Sequence, residues 1–168
     1  MRNNKIFIDD FYIDYNGIKH PIKGKEKIHI TSKDSDEYKV SLLLIEVFGG
    51  EIHNVPRITD ITNTGIKTST PDYIWNGERW DLKTPGINGK FENTLERFIK
   101  KKNAKLQAKN FIIDYKNFPE KTDQEILNVV NNTLIKPHRN WIENIIIIKN
   151  KRILYLKKEP LAEQRPNR

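Results

Sequence analysis

The chain predicts an α/β fold, a central mixed sheet flanked by helices, and three observations carry that prediction. Apolar residues recur with a helical period over 34–48, 92–108 and 121–134, and short apolar or alternating runs lie between these segments. The helical run 92–108 joins strands at 79–84 and 111–115, and a strand–helix–strand unit implies a right-handed crossover between parallel neighbours. Asn76-Gly77 and Asn150-Lys151 sit between strand-like runs at hairpin spacing, which adds antiparallel pairs.

At 168 residues the chain is long enough to bury the core of one domain. Its formal charge of +8 and pI near 9.5 favour a polyanionic partner, nucleic acid before an anionic membrane surface. It contains no cysteine, which excludes disulfides, thiolate metal sites and cysteine nucleophiles. The first ten residues hold no apolar signal region, and no run approaches the roughly 18 apolar residues of a membrane span.

Residues 5–30 read as two alternating runs around an Asn16-Gly17 turn, with Pro21 and Gly24 making the ribbon ragged. His20 and His29 lack a second ligand at useful spacing and read as surface or packing residues. From Asp34 to Phe48 the stripe Val40, Leu43, Leu44, Val47 and Phe48 predicts an amphipathic helix ended by Gly49-Gly50, with Asp34 and Glu37 as a capping box. Glu37 falls in the apolar phase beside Leu44, so it serves either the cap or a site beneath the helix.

Residues 51–58 and 66–70 read as extended, with a polar loop at 59–65 between them. Next comes the stretch richest in chemistry. Asp72 opens a strand to Trp75, and Arg79 to Thr84 forms its partner. Alternation puts Arg79, Asp81 and Lys83 on one face and Trp80 and Leu82 on the other. Two carboxylates can hold a hard divalent cation, magnesium first and Mn2+ or Zn2+ after it, and the lysine can stabilise charge on a phosphate. Trp75 and Trp80 read as core, with stacking on splayed bases as their other use.

Pro85 to Gly89 is a glycine-rich loop beside these residues, followed at once by Lys90. The helix 92–108 carries Leu95, Phe98, Ile99 and Leu106 on one side. Lys102 lies in that apolar phase, where a lysine must snorkel or meet an anion. Gln107 sits where this helix turns back to the strand 111–115. Thr122 is the expected cap of the third helix, Pro137 closes it, and 144–148 with 152–156 forms the last hairpin. The Pro-, Arg- and Lys-rich tail reads as frayed.

Pro71-Asp72, an eight-residue gap and Asp81-Leu82-Lys83 resemble the signature of the PD-(D/E)xK nuclease superfamily. A wider set is similar to the toxin domains at the C-terminus of CdiA-type contact-dependent growth inhibition proteins. It comprises Phe48-Gly49-Gly50, Pro56-Arg57-Ile58, Thr70-Pro71-Asp72, Asp81-Leu82-Lys83 and Gln107-Ala108 leading into Phe111-Ile112-Ile113-Asp114. The resemblance runs from about 36 to 157. It implies a restriction-endonuclease-like core over 35–158, with 1–34 as an N-terminal ribbon or entry segment and 159–168 as a flexible tail.

The resemblance further implies a metal-dependent endonuclease acting as a toxin in the cytoplasm of a target bacterium, cleaving tRNA ahead of DNA and held harmless by an immunity protein. Asp72 and Asp81 would bind the metal, Glu37 would complete its shell, Lys83 would support the nucleophile or transition state, and Gln107 would orient the site. Arg79, Lys90 and Lys102 would meet the nucleic acid. Two rivals stand beside this reading. One is a metal-independent, barnase-like ribonuclease using His138 and Arg139, and the other is a nucleic-acid-binding module without catalysis.

Overall fold

The computed structural model describes residues 34–55, 70–88, 90–100 and 107–157, together with the strand backbones at 5–8, 11–13, 19–21, 28–29 and 57–58. The expectations for the 59–65 loop, for Lys102, for the side chains of His20 and His29 and for the tail 159–168 lie outside the described residues.

The strands are β1 (Lys5–Ile8), β2 (Phe11–Ile13), β3 (Lys19–Pro21), β4 (Ile28–His29), β5 (Glu51–Asn54), β6 (Arg57–Ile58), β7 (Tyr73–Trp75), β8 (Glu78–Lys83), β9 (Asn110–Asp114), β10 (Asn144–Lys149) and β11 (Arg152–Lys157). The helices are α1 (Asp36–Phe48), α2 (Thr94–Ile99) and α3 (Asp123–Leu134). Seven strands form one mixed sheet in the order β1-β5-β7-β8-β9-β10-β11. The predicted parallel pair β8–β9 is present, and β10 continues it in parallel from β9 after the α3 crossover. Both hairpins are antiparallel. Their turns bend through left-handed backbone at Asn76 and Gly77, and at Asn150 and Lys151, which suits the twist of the strands they join.

At the N-terminus β2 and β3 pair antiparallel, as the alternating runs suggest, but β1 leaves that ribbon and lies parallel to β5 at the sheet edge. Pairing β1 with β5 satisfies backbone groups along an edge that would otherwise be open.

Helices cover both faces, so the central strands are buried on both sides and read as continuous apolar runs. On one face Leu95 and Ile99 of α2 and Ile126, Val130 and Leu134 of α3 pack on Phe111, Ile113, Ile145 and Ile147. On the other, Val40, Leu44 and Ile45 of α1 pack on Ile52, Tyr73, Trp75, Trp80, Ile112, Ile146 and Ile148. Each fully buried isoleucine contributes roughly 2 kcal/mol of transfer free energy, so β9 and β10 anchor the sheet.

Two local expectations are corrected. Ser35, not Asp34, caps α1: its hydroxyl accepts from the Tyr38 amide at 3.1 Å, so the capping box does not form. The apolar stripe of α1 also opens at its end, leaving Val47 46% and Phe48 39% exposed although the Phe48 ring still lies against Trp75 of β7. The Thr122 cap is present with a full capping box, in which Glu125 accepts from the Thr122 amide at 2.7 Å.

Candidate active site

Pro71 delivers the chain into β7, and the β7–β8 register sets Tyr73 opposite Trp80. One step further along the same register places Asp72 opposite Asp81. Asp72 is buried, and its Oδ2 accepts from the Leu82 amide at 2.7 Å, which anchors this carboxylate to the backbone beside Asp81. Asp81 is fully buried, on the face toward α2 and α3. Two positions on, Lys83 returns to that face and pairs its ammonium with Asp81 Oδ2.

Gln107 closes the arrangement. Its Nε2 donates to Asp81 Oδ1 at 2.8 Å and to the Thr70 carbonyl at 2.8 Å. Asp81 thus has one oxygen held by an amide and the other facing an ammonium. Burial raises its carboxyl well above the usual carboxylate range, the neighbouring Asp72 charge adds to that rise, and Lys83 opposes it. Two carboxylates that repel each other in a dry setting form a ready receptor for a cation.

Asp72, Asp81, Lys83 and Gln107 are therefore brought together. Glu37 stands differently. It is half-buried in the first turn of α1, and its carbonyl accepts from the Tyr73 hydroxyl at 2.8 Å, which pins the helix start to the strand that follows Asp72. Among the described residues no group of three His, Cys, Asp or Glu side chains is placed to hold a metal.

Arg79 lies two positions before Asp81 on the same strand face, about 7 Å along it. Lys90 lines a cleft of about 470 Å3 that begins at Thr84, just after Lys83, and continues past Asn88 to Arg97 and Phe98. Arg97 was not singled out in the sequence, where it looked like one more cation on a lysine-rich helix. Its place in the cleft comes from the segment 85–88 meeting α2, where the guanidinium donates to the Asn88 carbonyl at 3.0 Å. No local signal would have marked it.

Arg139 and His138, the pair behind the ribonuclease alternative, are placed elsewhere. Arg139 is 1% exposed, lies 3.4 Å from Glu96 and donates to the Thr133 carbonyl at 3.3 Å, bracing the end of α3 against α2. Burial lowers its pKa, as expected for a cation withdrawn from water.

The family model for the contact-dependent growth inhibition CdiA C-terminal domain matches residues 68–153, just over half of the chain. The chain belongs to that family. The matched span runs from before Asp72 to the last hairpin and contains Asp72, Asp81, Lys83 and Gln107. No curated protein and no solved structure gives a significant match. A CdiA C-terminal domain is the toxin of contact-dependent growth inhibition: it acts inside the target cell and has an immunity protein as its partner. Among the described residues, no helix of this CdiA C-terminal domain is long and apolar enough to cross a membrane.

Proposed function

We propose that this toxin is a metal-dependent endonuclease with a PD-(D/E)xK-type site, cleaving tRNA in preference to DNA. The observation that carries the reading is the cluster of buried Asp72 and Asp81 with half-buried Lys83 and Gln107, in which Gln107 and Lys83 meet opposite oxygens of Asp81. The donor set fits magnesium, which is commonly held by one or two carboxylates while the substrate phosphate and water fill its remaining positions. Asp72 and Asp81 would hold the ion, which when bound activates water and offsets charge on the scissile phosphate.

The protein groups have separate tasks. Leu82 and Gln107 hold one oxygen each of Asp72 and Asp81, so neither carboxylate has to reorganise when the substrate arrives. Lys83 places a cation on the face where a phosphate would develop negative charge. Lys90 and Arg97, in the adjoining cleft, neutralise flanking phosphates, consistent with the overall charge of +8. The metal-independent rival loses support from the burial of Arg139, whose guanidinium is engaged in structural contacts.

The test is incubation of the domain with total tRNA and, separately, plasmid DNA, with magnesium or EDTA, alongside Asp81→Ala. Magnesium-dependent loss of tRNA that disappears in the variant is expected. EDTA-resistant RNA cleavage would instead support the barnase-like alternative. Undiminished nucleic-acid binding without cleavage of either substrate would leave a binding module.

A further inference from the structure

The sheet face opposite the aspartate pair carries a second site. Where α1 ends at Phe48, a cavity of about 490 Å3 opens, lined by Phe48, Trp75, Glu78, Trp80, Asn144 and Tyr155. Its aromatic rings are contiguous: Trp75 lies 5.3 Å from Trp80 and 5.7 Å from Phe48, and Phe48 lies 6.0 Å from Tyr155. Trp75 and Trp80 are core residues, but Phe48 is 39% and Tyr155 51% exposed, so two flat apolar faces remain open to a ligand.

The polar groups at this cavity are only partly satisfied. The Trp80 indole N–H is buried without a hydrogen-bond partner. Asn110 donates to the Arg79 carbonyl at 3.1 Å and accepts from Asn144 Nδ2 at 2.8 Å, which orients the Asn144 amide and leaves its oxygen as an acceptor. Glu78, exposed at the rim, adds a carboxylate whose Oε2 accepts from Asn110 Nδ2 at 3.5 Å and whose Oε1 remains for a ligand. Stacking faces beside carboxylate and amide oxygens suit a planar heterocycle whose edge is rich in N–H.

We propose that this cavity binds a guanine base, stacked against Phe48 and Tyr155, with Glu78 accepting from the adjacent N1–H and N2–H groups. Adenine and cytosine put a ring acceptor nitrogen where guanine has a donor, so a carboxylate repels them. A simple cation would also sit among aromatic rings and a carboxylate. It fills little of a 490 Å3 cavity, however, and leaves the open faces of Phe48 and Tyr155 uncovered.

Trp80 and Asp81 are consecutive on β8 and face opposite sides. The bound base therefore belongs to a nucleotide remote from the scissile phosphate, and the cavity acts on affinity rather than on chemistry. An unpaired guanine is offered by RNA loops, whereas duplexes keep that edge paired. Assigning the base to the substrate rests on the nuclease reading, while binding of guanine itself does not.

The experiment is tryptophan quenching of the purified chain by GMP, AMP, UMP and arginine amide, repeated with Glu78→Gln and Tyr155→Ala, both at exposed positions. GMP is expected to bind at least tenfold more tightly than AMP or UMP. Glu78→Gln should weaken GMP about tenfold, and Tyr155→Ala should weaken it with the circular dichroism spectrum unchanged. A hairpin with a loop guanine should displace GMP from the uncleaving Asp81→Asn form, and Glu78→Gln should raise KM for RNA while kcat stays level. Equal binding of GMP and AMP, no GMP binding, or binding of arginine amide alone would overturn the guanine site. GMP binding that the hairpin does not displace would overturn the assignment to substrate. GMP binding without any cleavage would sink the nuclease reading and leave the cavity, and cleavage without GMP binding would do the reverse.

Discussion

Gln107 and Asp81, 26 residues apart in the chain, are joined by a 2.8 Å hydrogen bond, and the same Gln107 nitrogen reaches the Thr70 carbonyl just before Asp72. One amide thereby sets the orientation of a buried carboxylate relative to the segment that carries the other carboxylate. In the proposed metal site Gln107 would be an outer group, and such groups commonly change metal affinity or activity by 10–100-fold when removed.

Replacing Gln107 with Ala is therefore expected to lower kcat by about 10–100-fold while costing about 1 kcal/mol of stability. Cleavage kinetics at saturating RNA, read beside a urea midpoint, check this. An unchanged kcat with a raised KM would show that Gln107 binds substrate instead.

The burial of Asp81 bears on stability. Its carboxyl is raised chiefly by burial, then by Asp72, so ionising it costs the folded state more than the unfolded state. The stability that the protonated form provides at low pH is lost as pH rises through the raised folded value. In EDTA, Asp81→Asn should resist urea better than the wild type at neutral pH, and the two should converge below the ordinary carboxylate range. Magnesium should stabilise the wild type and narrow the gap. A variant weaker than the wild type at neutral pH would show that the Lys83 pairing outweighs burial.

Arg139 is a structural brace, and removing one partner of a buried ion pair typically costs 3–5 kcal/mol. Arg139→Ala should unfold at markedly lower denaturant, yet cleave at the normal rate per folded molecule. Loss of cleavage with stability intact would revive the ribonuclease that uses this residue.

Two glycines near the β7–β8 turn should differ in what they tolerate. Gly50 has φ +94°, and a Cβ there would run into the Asn76 side chain, whose oxygen accepts from the Glu51 amide at 2.9 Å. Gly77 has φ +83° with open space around it. Gly77→Ala should cost about 1–2 kcal/mol from backbone strain alone, and Gly50→Ala more than that, because the turn must also move. Denaturant midpoints of the two variants give the order directly.

The sequence by itself determined the elements whose signals are local. Asn76-Gly77 marked a hairpin because its left-handed turn suits those residues, and alternation then put Asp81 and Lys83 on one face, where they meet. The Thr122 cap and the parallel crossover from β8 to β9 were legible for the same reason, as each rests on residues close in the chain or on chain handedness. The position of Gln107 was legible through family resemblance, but not its bond to Asp81.

Only the tertiary structure decided the rest. The pairing of β1 with β5, the burial of Arg139 against Glu96, the bond of Arg97 to Asn88 and the aromatic cavity at the end of α1 are properties of surfaces that meet after folding. A charged or aromatic side chain has the same local preferences whether solvent or another segment lies across from it. Its burial, and with it the lifted pKa of Asp81 and the open faces of Phe48 and Tyr155, is set by which distant element packs over it and where that element stops.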